Sequence, residues 1–100
     1  MIRDLVIRAQ ARADLVEIWN YIAADNPKAA DKVGRAFDAA VEMLQSTPGV
    51  GHPRPDVRDK PYRFWRVYSY MIAYQYTDKT VAIIRVIHGR RDFRRIFGRG

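Results

Sequence analysis

The chain has 100 residues, of which 48% are hydrophobic and 29% charged; that is one domain's worth of chain with the composition of an ordinary globular fold rather than a disordered one. It has no cysteine, which excludes disulfide scaffolds, thiolate metal centres and cysteine nucleophiles. No apolar run approaches the ~20 residues that cross a bilayer, and the opening Met1-Ile2-Arg3-Asp4 lacks the apolar core of a secretory leader, so a cytoplasmic protein with no membrane partner is expected.

The net charge of +7 is unevenly spread. Residues 1–50 carry six basic and seven acidic side chains, residues 51–100 twelve and four. From Arg85 to Gly100 there are six arginines and one acid, Asp92. Such polarity makes a directional field for anionic partners. Arginine, which forks onto phosphate or carboxylate, supplies fourteen of the eighteen basic residues and favours a binding role over mere solubility.

Leu5-Val6-Ile7 predicts a short strand. Ala11, Leu15, Ile18, Trp19 and Ile22 then form the stripe of an amphipathic helix. Asp14 and Glu17 are read as complements to its dipole, pairing with Arg12 or Arg3. Asp25-Asn26-Pro27 ends it, with Asn26 as N-cap and Pro27 as first residue of a second helix. Ala30, Val33, Phe37, Ala40, Val41 and Leu44 carry that helix to Ser46-Thr47-Pro48-Gly49. The two make an antiparallel hairpin.

Residues 48–61 hold four prolines and two glycines and read as a long irregular loop, the kind that is usually functional or mobile. Tyr62–Tyr68, Tyr70–Tyr76 and Thr80–His88 follow as three strands of an antiparallel meander. In the third, alternation puts Val81, Ile83, Arg85 and Ile87 on one face and Ala82, Ile84, Val86 and His88 on the other. The tail from Arg90 keeps Phe93, Ile96 and Phe97 at helical spacing, a helical turn or a packed arm. The order β-α-α-β-β-β defines an α+β fold, a helical hairpin packed on one face of an antiparallel sheet, in a single domain over 1–100. The open face is expected to show Arg85, with the basic tail nearby.

Catalytic signals are sparse. His52 lies between Gly51 and Pro53, and His88 ends the last strand, where a backbone hydrogen bond is its simplest role. The serines and threonines sit at helix ends and turns. Gly49-Val50-Gly51 lacks the lysine and helix of a phosphate loop, and two histidines 36 positions apart make no metal site. No catalytic residue, metal or cofactor is expected. What remains is an arginine constellation: Arg63 and Arg66 in the first meander strand, Arg85 in the third, and Arg90, Arg91, Arg94 and Arg95 in the tail. Trp65, Tyr68 and Phe93 interleave aromatic surface.

Three segments resemble the RelE/ParE toxins of bacterial type II toxin–antitoxin systems, and the ParE branch in particular. They are Ala11–Ile22 followed by Asn26-Pro27-Lys28-Ala29-Ala30, then Arg66-Val67-Tyr68 with Tyr70–Tyr74, and Ile84-Arg85-Val86-Ile87-His88-Gly89-Arg90-Arg91-Asp92, the most specific. The resemblance implies the RelE/ParE fold and a toxin that traps DNA gyrase on cleaved DNA, neutralised by an antitoxin. The implied alternative is RelE-like cleavage of messenger RNA on the ribosome. That branch often carries a tail tyrosine; here none follows Tyr76, and the 48–61 loop offers Asp56, Asp59 and Lys60 but no glutamate, so the gyrase reading is preferred. The target surface is expected at Arg63, Arg66, Arg85, His88, Arg90, Arg91, Arg94 and Arg95. A ParD-like antitoxin with an acidic amphipathic segment should form a hetero-oligomer with the chain, covering Leu15, Trp19 and Phe37 and reaching Trp65 and Arg85.

Overall fold

The computed structural model describes residues 2–97; Met1 and the end of the basic tail, with Arg99, lie outside the described residues. The elements run β1 (Asp4–Ile7), α1 (Ala9–Ala23), α2 (Pro27–Ser46), a short 3₁₀ turn (Pro48–Val50), β2 (Arg63–Val67), β3 (Tyr70–Tyr76), β4 (Thr80–His88) and α3 (Phe93–Phe97). The α+β class and the β-α-α-β-β-β order are those expected, with α3 as the helical turn of the tail.

The hairpin forms where the sequence signals it. Asn26 Oδ1 accepts the Ala29 N–H at 3.1 Å, and Pro27 occupies the first turn of α2. That cap and the fixed proline φ start α2 with only three residues between it and the end of α1. Ala11, Phe37, Ala40 and Leu44 turn inward from the two helices. They meet Ile72, Tyr74, Val81, Ile83 and Val86 of the sheet and make the larger of two cores.

The four strands are ordered β1-β4-β3-β2. β2, β3 and β4 pair antiparallel as the meander predicts, but β1 joins β4 in parallel, Val6 opposite Ala82. The sheet is therefore mixed. Backbone bonds from Asp4 N–H to Lys79 O and from Arg8 N–H to Ile83 O bracket β1, and the end of α2 holds its start, the Gln45 amide donating to Arg3 O at 2.7 Å.

β4 departs from strict alternation. Tyr74 stands opposite Ile83 and Ala73 opposite Arg85, so Ile84 is an extra residue in a β-bulge. Val81, Ile83 and Val86 consequently pack under the helices, while Ile84 and Ile87 face the other way. The faces expected for Val86 and Ile87 are exchanged by that single inserted residue.

The second face is covered too. Val57 of the 48–61 loop and Phe93 and Phe97 of α3 pack on Phe64, Ala73 and Ile87 in a smaller core. Phe64 contacts both α3 phenylalanines edge-on at 5.6 Å, and the Arg54 guanidinium lies 3.8 Å from the Phe93 ring centre. The loop is thus a packed cover. His52 and Phe64 exchange backbone hydrogen bonds at 3.1 and 2.9 Å, and the buried Tyr74 hydroxyl accepts from Gly51 N–H at 2.9 Å and donates to Pro48 O at 2.6 Å. Gly51 is required by close approach: a Cβ there would lie 2.8 Å from the Tyr74 ring. No helix among the described residues is long and apolar enough to cross a membrane.

Candidate functional site

Two surfaces concentrate chemistry, and they lie on different sides of the sheet. The first is an apolar groove of about 390 Å³ between the hairpin and the sheet edge. Leu5, Ile7, Leu15, Ile18, Trp19, Val33, Phe37 and Val41 line it. Phe37 is part of the buried core and forms the floor, Leu15 is half-buried, and Trp19 keeps 45% of its surface exposed. Asp38, Glu42 and Gln45 of α2 give the groove a polar rim. Three of the residues expected to hold a partner, Leu15, Trp19 and Phe37, therefore share one groove.

Trp65 and Arg85 lie outside it. Trp65 belongs to β2 and borders a recess of about 310 Å³ with His52, Arg54, Arg66 and Met71. Arg85 lies under α1, not on an open face. Its guanidinium clasps the Asp14 carboxylate through two bonds of 2.8 and 3.1 Å, and the Val86 N–H adds a third at 2.9 Å. Asp14 was expected to serve the helix dipole and a neighbour such as Arg12 or Arg3; its partner instead lies 71 positions away. The Gln10 amide donates a fourth bond at 3.4 Å, and a carboxylate with these donors and only 9% exposure ties α1 to the bulge of β4.

The expected arginine constellation divides into three groups. Arg63 faces the helix side of β2, where its guanidinium donates to Gly51 O at 2.7 Å. Arg66 faces the other side, beside the Tyr68 carbonyl and about 3.5 Å from the Cβ position of Gly89. Arg85, His88 and Arg91 line a cleft of about 460 Å³ between α1 and the end of β4, together with Glu17, Tyr21 and Tyr70. Arg90 sits at the turn after β4, and Arg94 and Arg95 on α3; all three are exposed. The Arg95 N–H is capped by Asp92 Oδ1 at 3.1 Å, so Arg94 and Arg95 ride on a short, anchored helix rather than a frayed end.

His88 does what a strand-ending histidine most simply does. Its Nδ1 accepts the Arg90 N–H at 3.1 Å, and its ring meets Tyr70 edge-on at 5.5 Å. That bond shapes the turn presenting Arg90 and Arg91. Arg54, singled out by no periodicity or motif, proves central to the second face. It binds Asp56 through two bonds of 3.0 and 3.1 Å while lying on Phe93, and these hydrogen bonds hold the Asp56 carboxyl below the usual aspartate range. Burial pushes the Tyr74 hydroxyl above its ordinary value. Among the described residues no three metal-ligating side chains converge.

Comparison with known proteins agrees with this geometry. Residues 5–93 match the family model described as the ParE toxin of type II toxin–antitoxin systems. The toxin ParE1 of Caulobacter vibrioides is 34% identical over 91 residues, covering 89% of this chain and 92% of that protein. Among solved structures, a chain of the chromosomal ParDE system of P. aeruginosa superposes with a TM-score of 0.73 at 21% identity, over 87% of this chain and 96% of that one. A chain of the RelBE2 toxin–antitoxin complex of Mycobacterium tuberculosis gives 0.62 at 24% identity, over 88% and 99%. At these identities the two structures speak for the fold; the family match and the Caulobacter relative carry the assignment, and the chain belongs to the ParE toxin family of type II toxin–antitoxin systems.

Proposed function

We propose that this ParE-type toxin acts on DNA gyrase, blocks replication by holding the enzyme on cleaved DNA, and is neutralised by a ParD-like antitoxin in a cytoplasmic hetero-oligomer. The observation that carries the reading is the anchored arginine row. Arg90, Arg91, Arg94 and Arg95 are exposed, while Phe93 and Phe97 beside them are 1% and 5% exposed. Cations fixed on a docked helix and the hydrogen-bonded turn before it meet an acidic protein surface or a DNA phosphate with less ordering cost than a flexible tail would. Arg66, beside the same turn, extends the row. Arg63, Arg85 and His88 support it from behind, since each spends its hydrogen bonds inside the fold.

The antitoxin's place in this reading is the apolar groove. A helical segment would lay its apolar face against Leu15, Trp19 and Phe37. The rim acids Asp38 and Glu42 call for a basic residue on that helix, and the acidic part of the segment would run on toward the arginine-rich half, reaching Trp65. The P. aeruginosa relative belongs to a ParDE toxin–antitoxin system and the M. tuberculosis one to a toxin–antitoxin complex, which supports an antitoxin as the partner.

The test uses purified gyrase and the chain with Arg90, Arg91, Arg94 and Arg95 replaced by alanine. The natural chain should accumulate cleaved DNA with gyrase. The quadruple variant should lose that activity, at about 1.5–3 kcal/mol per desolvated charge-assisted contact, and should keep its fold and antitoxin affinity. A folded quadruple variant that still poisons gyrase removes the tail from the mechanism. Codon-specific messenger RNA cleavage on ribosomes, with gyrase untouched, would establish the RelE-like alternative instead.

A further inference from the structure

The outer face of α1 is patterned for a partner that neither the groove nor the arginine row explains. Inward, α1 presents Ala11, Leu15 and Ile18 to the core and groove. Half a helix turn away, Ala9, Ala13, Val16 and Asn20 form a second stripe, all exposed, with Val16 57% exposed. Their spacing of four, three and four is the a/d repeat of a coiled coil. Arg12 precedes Ala13 on one edge of the stripe, and Glu17 follows Val16 on the other. Among the described residues the ion pairs are Arg54–Asp56 and Arg85–Asp14, so neither Arg12 nor Glu17 is ion-paired among them.

We propose that this face binds a second copy of the chain, with the two α1 helices side by side and pointing the same way. Three features favour that occupant. In a parallel pair, the residue before one core position meets the residue five places later on the other helix; here that joins Arg12 of each copy to Glu17 of the other, at both edges of the seam. An Asn at a core position, Asn20, meets its own copy only in the parallel, in-register arrangement, which it selects at some expense of stability. The alanines at 9 and 13 allow close approach along the seam, and Val16 supplies its apolar contact. One helix per copy, about 22 Å long, makes a small interface, so the dimer is weak and concentration-dependent. It leaves both the groove and α3 uncovered.

The absence of cysteine makes the arrangement directly readable. Single variants Ala13→Cys and Asn20→Cys of the purified chain should each form disulfide-linked dimers under mild oxidation, and Lys32→Cys on α2 should not. In sedimentation equilibrium, Arg12→Glu and Glu17→Arg should each raise the dimer dissociation constant about tenfold, since each turns two exposed attractions into repulsions. The double reversal should return it to within about threefold. Restoration by the double variant separates pairing from misfolding. A chain that stays monomeric throughout, linkage at position 13 without linkage at 20, linkage at 32 equal to both, or single reversals without effect would each overturn the proposal.

Discussion

The two faces of the sheet are closed by different means. Under the helices, a hairpin of 15 and 20 residues buries aliphatic side chains and leaves an apolar groove. On the other side, an irregular loop and a five-residue helix do the covering. So short an element cannot hold itself by backbone hydrogen bonds alone; aromatic edges and the Arg54 stack fix it instead. The first face exposes apolar surface near acids, the second exposes arginines, and one small domain can thereby offer separate surfaces to two partners.

The largest way to break that division is Phe93→Ala. Phe93 is fully buried between Phe64, Phe97 and the Arg54 guanidinium, so truncation should cost about 3–4 kcal/mol. Urea unfolding would measure the loss. Hydrogen exchange would show where it falls: faster in 52–64 and 93–97 than in α2. Uniform acceleration would mean that the two faces form one unit.

Asp14→Ala strikes the tie between α1 and the bulge of β4. It leaves the Arg85 guanidinium and the Val86 N–H without their shared acceptor, and Arg85 retains some exposure, so the expected loss is about 3 kcal/mol, at the low end for a broken buried pair. Thermal unfolding checks it. A loss under ~1 kcal/mol would show that water replaces Asp14 at the bulge.

That pair also marks how far the sequence can be read. The hairpin was legible because its signals are local: a cap, a proline and 3.6-residue spacing, all within adjacent turns. The meander was legible from alternation and punctuation. The bulge was not, because one inserted residue leaves no compositional trace, and Val86 and Ile87 exchange faces because of it. Nor was the parallel pairing of β1, which is decided at β4, more than 70 positions on. At the surfaces, the apolar stripes disclosed Leu15, Trp19 and Phe37 as one groove, whereas counting arginines could not tell the exposed Arg94 and Arg95 from Arg63 and Arg85, already bonded within the fold. Arg54 was hidden for the complementary reason: its role depends on Phe93, brought to it only by the tertiary fold.

Tyr74→Phe probes the seam between loop and sheet. Removing the hydroxyl strands the Gly51 N–H and the Pro48 carbonyl, at about 1–2 kcal/mol. It should also change the alkaline limb of the stability profile. Burial raises the Tyr74 hydroxyl above 10.0 in the folded chain, so its contribution is intact below that value and lost as pH rises, because the unfolded tyrosine ionises first. Unfolding free energies measured from pH 8 to 11 should fall less steeply for the phenylalanine variant; parallel curves would place the ionisation elsewhere.

The smallest effect is expected at the tip joining β2 to β3, and it has the opposite sign. Tyr68 has a φ of 54°, in the left-handed region, and is 52% exposed. A side chain there costs roughly 1–2 kcal/mol relative to the right-handed region, whereas glycine adopts it freely but loses more chain entropy on folding. Val67 and Tyr70 pair directly on either side, leaving a two-residue loop of the kind in which positive φ matches strand twist and glycine is favoured. Tyr68→Gly should therefore stabilise the fold by about 0.5–1 kcal/mol. The tip adjoins Arg66 and, through the Gly89 N–H bond to Ser69 O at 2.8 Å, the turn that carries Arg90. A strained aromatic retained beside cations is the pattern of a residue kept for contact rather than stability. Assayed together, urea midpoint and gyrase-dependent DNA cleavage should move apart in this variant, the first rising and the second falling; if both rise, the tyrosine contributes strain without contact and the arginine face ends at Arg66.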